Sequence, residues 1–281
     1  MLGYSIIKDY EIDILLEDIY RDYGYDFLQY SRASIKRRIN RIMTNDRLVS
    51  FAELRFALKD NSEFLQHFVE EITVNLTEMF RDPLFFRQLR EEILPQLGTY
   101  PLIRIWIAGC STGEEAYSMA ILLKEANLDH KSLIYATDIN PRVLETARNG
   151  VYPLSQIKTY SENYIESGGK QDFSSYYTAN YELAKFNAEL KRKMILSTHN
   201  LVSDTSFNSF QLILCRNVLI YFNKDLQERV FKLFDASLEN LGYLALGSKE
   251  TIRFSTIHHN FIAVGEQKIW KKLYSLHDGS I

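Results

Sequence analysis

The chain has 281 residues, of which 46% are apolar, and a formal net charge of −3 at neutral pH. That length allows one large or two ordinary domains with a real core, and the balanced charge gives no global case for nucleic acid or an acidic membrane surface. No apolar run reaches the roughly 18 residues of a membrane span, the first twenty residues lack a secretory apolar region, and two distant cysteines, Cys110 and Cys215, make no disulfide framework, so a reducing, cytoplasmic setting is expected.

Residues 1–72 read as all-helical. Ile12, Leu15, Leu16 and Ile19 mark a first helix with Gly24 at its exit, and Ile35, Ile39, Ile42 and Met43 mark a second. Phe51, Leu54, Phe56, Leu58, Phe64, Leu65 and Phe68 supply apolar faces for shorter helices. The stretch 73–82, "TVNLTEMFRD", is polar and breaks the helical period. Asp82 before Pro83 has the form of a helix start with an N-cap oxygen, and the following helix offers Phe86, Leu89, Ile93 and Leu97 to a core. Residues 73–102 are therefore read as a linker and the first helix of a second domain.

From residue 103 the pattern changes. Strands are expected at 103–108, 132–137, 193–197, 210–215, 242–247, 260–265 and 268–274, with helices near 113–126, 141–149 and 224–240. Such alternation predicts an α/β fold, a mostly parallel sheet covered on both faces. The last two strands, joined by a short turn, are expected to form an antiparallel hairpin at the edge. The stretch 151–192 does not fit the alternation and reads as an inserted subdomain within 103–281.

In open α/β sheets, ligands bind beyond the carboxyl ends of the strands. After the first strand comes "GCSTGEE", a small-residue turn from Gly109 to Gly113 leading into a helix. Such a turn suits a nucleotide, but it lacks the full G-x-G-x-x-G spacing and the lysine of a P-loop. Asp138 ends the second strand 29 residues after Gly109. It is placed either to accept from ribose hydroxyls or to cap the helix beginning at Pro141, and this residue alone does not separate the two. Glu114 and Glu115 can be stabilised by the helix dipole, yet a pyrophosphate beside them would meet like charge in a partly desolvated cleft. A ligand with adenosine at one end and positive charge at the other is favoured, and S-adenosylmethionine has that form.

Four blocks in order resemble those of the chemotaxis receptor glutamate O-methyltransferases, the CheR type: "TVNLTEMFRDP", "AGCSTGEEAYSMA", "ATDINPRVLETARNGVY" and "LILCRNVLIYFNKDLQERV". The resemblance covers roughly residues 10–274. It implies a helical N-terminal domain, a Rossmann-like S-adenosylmethionine-dependent methyltransferase domain, and a small inserted antiparallel β-subdomain. It implies cofactor contacts at Asn75, Thr77, Arg81, Gly109, Glu115, Asp138, Asn200, Leu201, Arg216 and Asn217, with Arg81 and Tyr221 nearest the transferred methyl group and S-adenosylhomocysteine as product. Glu115 is preferred over Glu114 for the charged end of the cofactor, although spacing leaves Glu114 open. Met79 stands where the family carries a first phenylalanine, with Phe80 as the second, a tolerable packing change. The stretch "ESGGKQDFSSYYTANYELAKF" lacks the G-x-G-Y-type loop with which some members dock a receptor's C-terminal peptide, so that tether is not expected.

Arg32, Lys36, Arg37, Arg38, Arg41 and Arg47 crowd the segment around the second helix, with only Asp46 opposing. Arg37 and Arg41 fall four apart on the face away from Ile35, Ile39 and Ile42. Under the resemblance, Arg37, Arg38 and Arg41 dock the glutamate-bearing cytoplasmic helices of receptors; the plain alternative is a solvated face, or pairing with the acidic first helix. His258-His259 lacks the spacing of a zinc site, so no metal is expected, and the two cysteines are read as apolar packing. A monomer is expected, with neither nucleic acid nor direct membrane insertion. The reading is a glutamate methyltransferase of sensory adaptation; its rival is a catalytically silent S-adenosylmethionine-binding sensor or scaffold.

Overall fold

A computed structural model describes residues 7–73 and 77–274. By contacts the chain forms two units. The described residues of 1–75 cluster with Tyr221–Arg229, and those of 76–220 with the rest.

The helical unit contains α1 (Asp9–Tyr23), α2 (Arg32–Asn45), α3 (Phe51–Asp60) and α4 (Ser62–Thr73). Its core holds the apolar stripes expected from the 3.6-residue period, among them Ile12, Leu16, Ile35, Ile39, Leu54 and Phe68. Gly24 closes α1 in a left-handed conformation, its N–H donating to the Tyr20 carbonyl. Ser50 caps α3 by accepting from the Glu53 N–H at 3.2 Å.

The second unit begins with α5 (Pro83–Gln88), a single π-helical turn at Leu89–Ile93, and α6 (Leu94–Leu97). Then follow β1 (Ile103–Ala108), α7 (Glu114–Glu125), β2 (Ser132–Asp138), α8 (Pro141–Asn149), β3 (Val151–Pro153), α9 (Leu154–Glu166), β4 (Tyr177–Asn180), β5 (Leu183–Phe186), β6 (Met194–Thr198), β7 (Phe210–Cys215), α10 (Lys224–Ser237), whose residues up to Arg229 cluster with the helical unit, β8 (Leu238–Leu246), β9 (Phe261–Val264) and β10 (Ile269–Lys272). The main sheet has the order β6-β2-β1-β7-β8-β10-β9. It is parallel from β6 to β8 and ends in the expected antiparallel β9–β10 hairpin. The α/β, Rossmann-like class read from the sequence is thus the observed one. Central strands such as "FQLILC" are buried at every position, as a sheet covered on both faces requires.

Two local expectations change. Asp82 is the N-cap of α5 but makes no side-chain cap bond; a stronger partner, Arg216, takes its carboxylate. The helix expected to reach residue 240 stops at Ser237, and β8 starts at once with Leu238 opposite Phe210. The pairing is irregular there, and Leu241 turns at φ 66°. The stretch 151–192 is the inserted antiparallel β-subdomain that the resemblance implied, with a helix that the sequence reading did not give. It forms a three-stranded antiparallel sheet of order β3-β5-β4 around the thirteen-residue helix α9. Ile157, Tyr160 and Tyr164 of α9 are buried, and tyrosines four apart were a helical signal.

Candidate functional site

The order of the sheet reverses between β1 and β7, the place where a doubly wound fold opens a crevice at its carboxyl ends. The turn after β1 lies there. The N–H groups of Gly109 and Cys110 both donate to the Thr137 carbonyl, at 2.8 and 2.9 Å. Gly109 (φ 80°) and Gly113 (φ 97°) take left-handed backbone, and at Gly113 a Cβ would stand 2.7 Å from the Ala147 Cβ.

Asp138 closes the same corner. Its carboxylate accepts from the Ser111 N–H at 2.9 Å and the Asn140 N–H at 3.0 Å. The helix cap is Asn140, whose side chain accepts from the Arg142 N–H at 2.9 Å; Asp138 is not the cap of α8. Burial raises the Asp138 pKa against the pull of those backbone donors. Beside it the Ser111 hydroxyl and the Asn140 side-chain nitrogen are buried with no hydrogen-bond partner. Unsatisfied buried donors and acceptors around a carboxylate call for a polar ligand group, and the hydroxyls of a nucleoside meet that demand.

The two glutamates at the start of α7 point to different fates. Glu114 is 4% exposed. Thr112 Oγ1 donates to its Oε2 at 2.6 Å, and the Tyr160 hydroxyl of α9 lies 3.2 Å from its Oε1. Burial pushes its pKa up to about 7 despite those contacts. Glu115 instead meets Arg216, whose Nη1 donates to Oε1 at 2.6 Å.

Arg216, the first residue after β7, is a hub. Its Nη2 donates to Asp82 Oδ2 at 2.7 Å and to the Arg81 carbonyl at 3.0 Å. Its guanidinium lies 4.0 Å from the centre of the Phe85 ring. One cation facing two carboxylates leaves the junction negative, which keeps it hostile to phosphate. The same junction fixes the backbone around Arg81. The Phe80 N–H donates to Ser118 Oγ at 2.9 Å, and Asn163 donates to the Met79 carbonyl at 3.1 Å. Phe80 and Asp82 both sit at positive φ, a conformation that persists only where surroundings over-determine it.

The remaining sequence-predicted residues are placed as follows. Thr77 is half-buried; Asn75 lies outside the described residues. The Asn200 side chain accepts from the Val202 N–H at 2.9 Å, and Leu201 beside it is buried. Asn217 follows Arg216 at φ 61°. Tyr221 belongs to the helical unit, where the Arg38 guanidinium sits 5.3 Å from its ring centre and its carbonyl accepts from the Ser31 N–H at 2.7 Å. Of the basic helix, Arg32 and Lys36 do pair with α1, through Asp13 and Asp9. Arg38 is half-buried and donates to the Glu71 carbonyl at 2.7 Å. Arg41 approaches Glu71 at 3.4 Å. Exposed Arg37 forms no ion pair among the described residues.

Sequence reasoning missed Glu250. It is 5% exposed and accepts from the N–H groups of Asn217 (2.9 Å) and Gly247 (2.6 Å). Nothing in "GSKET" advertises this, because the partners lie up to 33 residues away.

Residues 11–73 match the family model described as "CheR methyltransferase, all-alpha domain", and residues 75–269 match "CheR methyltransferase, SAM binding domain". The chain belongs to the CheR methyltransferase family. Its cofactor is S-adenosylmethionine, and the residues around Asp138 fit that molecule. A protein of Pseudomonas putida named "Putative methyltransferase Cher3" is 47% identical over 94% of this chain and 97% of its own length. "Chemotaxis protein methyltransferase" of Salmonella typhimurium is 33% identical over 88% of this chain and 85% of its own length. The protein of that name from Listeria monocytogenes is 31% identical over 88% and 93%.

Proposed function

We propose that this methyltransferase esterifies glutamate side chains on the cytoplasmic helices of chemotaxis receptors, and that it works as a monomer in the cytoplasm. The observation that carries the reading is the near full-length match to relatives named chemotaxis protein methyltransferases. It is joined by a helix, α2, whose exposed Arg37 and Arg41 are suited to an acidic partner. No helix among the described residues is long and apolar enough to cross a membrane.

In this reading Asn75, Thr77, Arg81, Gly109, Glu115, Asp138, Asn200, Leu201, Arg216 and Asn217 hold the cofactor. When bound, it supplies an electrophilic methyl group on a sulfonium. The chain's own task is then positional. Substrate glutamate has a pKa of about 4.3 and is already a carboxylate at neutral pH, so no general base is needed. Asp138 accepts from the ribose hydroxyls. Glu115, held by Arg216, faces the cationic end. Arg81 orients and screens the incoming carboxylate, its backbone clamped through the Phe80 N–H and its own carbonyl. Tyr221 donates a hydrogen bond near the reacting oxygen. Pre-set geometry of this kind lowers the barrier by removing the search for an in-line approach.

The test is transfer of labelled methyl from S-adenosylmethionine to receptor-containing membranes. Base-labile label on receptor glutamates is the expected result. Tight cofactor binding with no label on receptors would overturn the proposal and favour a silent sensor.

A further inference from the structure

A buried carboxylate that no step above uses lies beneath the β7 exit loop. Glu250 stands four residues after the end of β8, 5% exposed. Its Oε2 accepts from the Asn217 N–H at 2.9 Å and the Gly247 N–H at 2.6 Å, and its Oε1 lies 3.3 Å from the Ile220 N–H. Both ends of the loop 217–220, and the exit of β8, therefore hang on one side chain. A neutral amide or an apolar residue could not accept all three, because only an ionised carboxylate presents acceptors alone.

The neighbouring glycine fits the same purpose. A Cβ at Gly247 would stand 2.7 Å from Glu250 Oε2, 2.8 Å from the Asn217 nitrogen and 3.0 Å from the Asn217 side-chain nitrogen. The absence of a side chain at residue 247 is what lets the Asn217 backbone descend onto the carboxylate. Asn217 itself stands at φ 61°, a conformation that asparagine tolerates but does not choose unaided. An anion gripping its N–H holds it there.

We propose that Glu250 is a positioning residue: its carboxylate clasps the 217–220 loop so that Asn217 is presented to the cofactor, with Gly247 as the gap that admits the clasp. The functional half of this rests on the assignment of Asn217 to the cofactor; the clasp rests on geometry alone. Burial raises the Glu250 pKa, while the backbone donors of Asn217, Gly247, Ile220 and Leu219 pull it back down. The net shift stays upward, because burial outweighs the donors.

The experiment compares the full-length protein with Glu250→Ala, Glu250→Gln and Gly247→Ala. It measures S-adenosylhomocysteine affinity by calorimetry and amide hydrogen exchange residue by residue. Leaving the buried N–H donors unmet should weaken binding by about tenfold or more. Exchange at Asn217, Ile220 and Gly247 should quicken by about 100-fold while Ile213 and Leu244 in the sheet stay protected. Added formate, a free carboxylate, should restore affinity to Glu250→Ala, and formamide should not. A purely structural loss would not respond to formate. Wild-type affinity in Glu250→Ala, or slow exchange at all three amides in Glu250→Gln, would overturn the proposal. If Asn217→Ala keeps full affinity while formate still rescues the Glu250→Ala exchange, the clasp stands and the assignment of Asn217 to the cofactor falls.

Discussion

Glu114→Gln turns the burial of one carboxyl into a measurable pH dependence. In the folded chain the group titrates near pH 7, against an ordinary value of 4.5. An acid whose pKa is higher when folded adds stability below its unfolded value, and that contribution disappears as pH rises through the folded value. The gap between 4.5 and about 7, at about 1.4 kcal/mol per pH unit, amounts to about 3 kcal/mol lost by pH 8.5. Glutamine mimics the protonated state. Its oxygen can accept from Thr112 and its nitrogen can donate to the Tyr160 hydroxyl, which in turn reaches Gln156 Oε1 at 2.7 Å. The variant should match the wild type at pH 4.5 and exceed it by about 3 kcal/mol at pH 8.5. Urea unfolding followed by tryptophan fluorescence is a suitable assay, because Trp106 and Trp270 both belong to the sheet-bearing unit. A difference between variant and wild type that stays constant from pH 4.5 to 8.5 would refute the reasoning.

Arg216→Met should cost about 3–5 kcal/mol, mostly from stranding Glu115, and Asp82, whose side chain is 42% exposed, adds little. Adding Glu115→Gln should recover part of that loss in urea titrations; strict additivity would show that the pair does not interact. Arg81→Ala is expected to cut turnover far more than S-adenosylhomocysteine affinity, and unchanged turnover would remove Arg81 from the mechanism. Reversing charge at Arg37 and Arg41 should raise the KM for receptor methylation with no change in cofactor affinity, the effect shrinking at high salt. Intact methylation kinetics would leave α2 as a solvated face.

The strands of the main sheet and most helices were legible because each rests on a local period, whereas the short strands β3, β4 and β5 and helix α9 were not read. "IRIWIA" and "FQLILC" are too apolar to lie at a surface, and α8 begins at Pro141 as expected, although its cap is Asn140 and not Asp138. The site was legible only as a set of positions. That Asp82 gives its carboxylate to Arg216 depends on a contact across 134 residues, and it overrides the local capping rule that the sequence obeys. Glu114 and Glu115 are adjacent and chemically identical, so only the packing of α9 against one and the reach of Arg216 to the other distinguish them. Glu250 left no trace in the sequence for the same reason: the donors it serves are backbone N–H groups, which every residue but proline carries.

The membership of Tyr221–Arg229 in the helical unit has a consequence for how the molecule can be taken apart. The chain passes between its two units three times rather than once, so no single cut separates them. A fragment ending at residue 73 would lose Phe222, whose ring lies 5.0 Å from Tyr30, and the Asn223 N–H that donates to the Gln29 carbonyl at 2.9 Å. A chimaera that exchanged only the first 73 residues for those of a relative would mate a foreign α2 with the native Tyr221. Exchanging the whole helical unit between relatives therefore requires two segments to travel together, the N-terminal helices and the nine residues that begin at Tyr221.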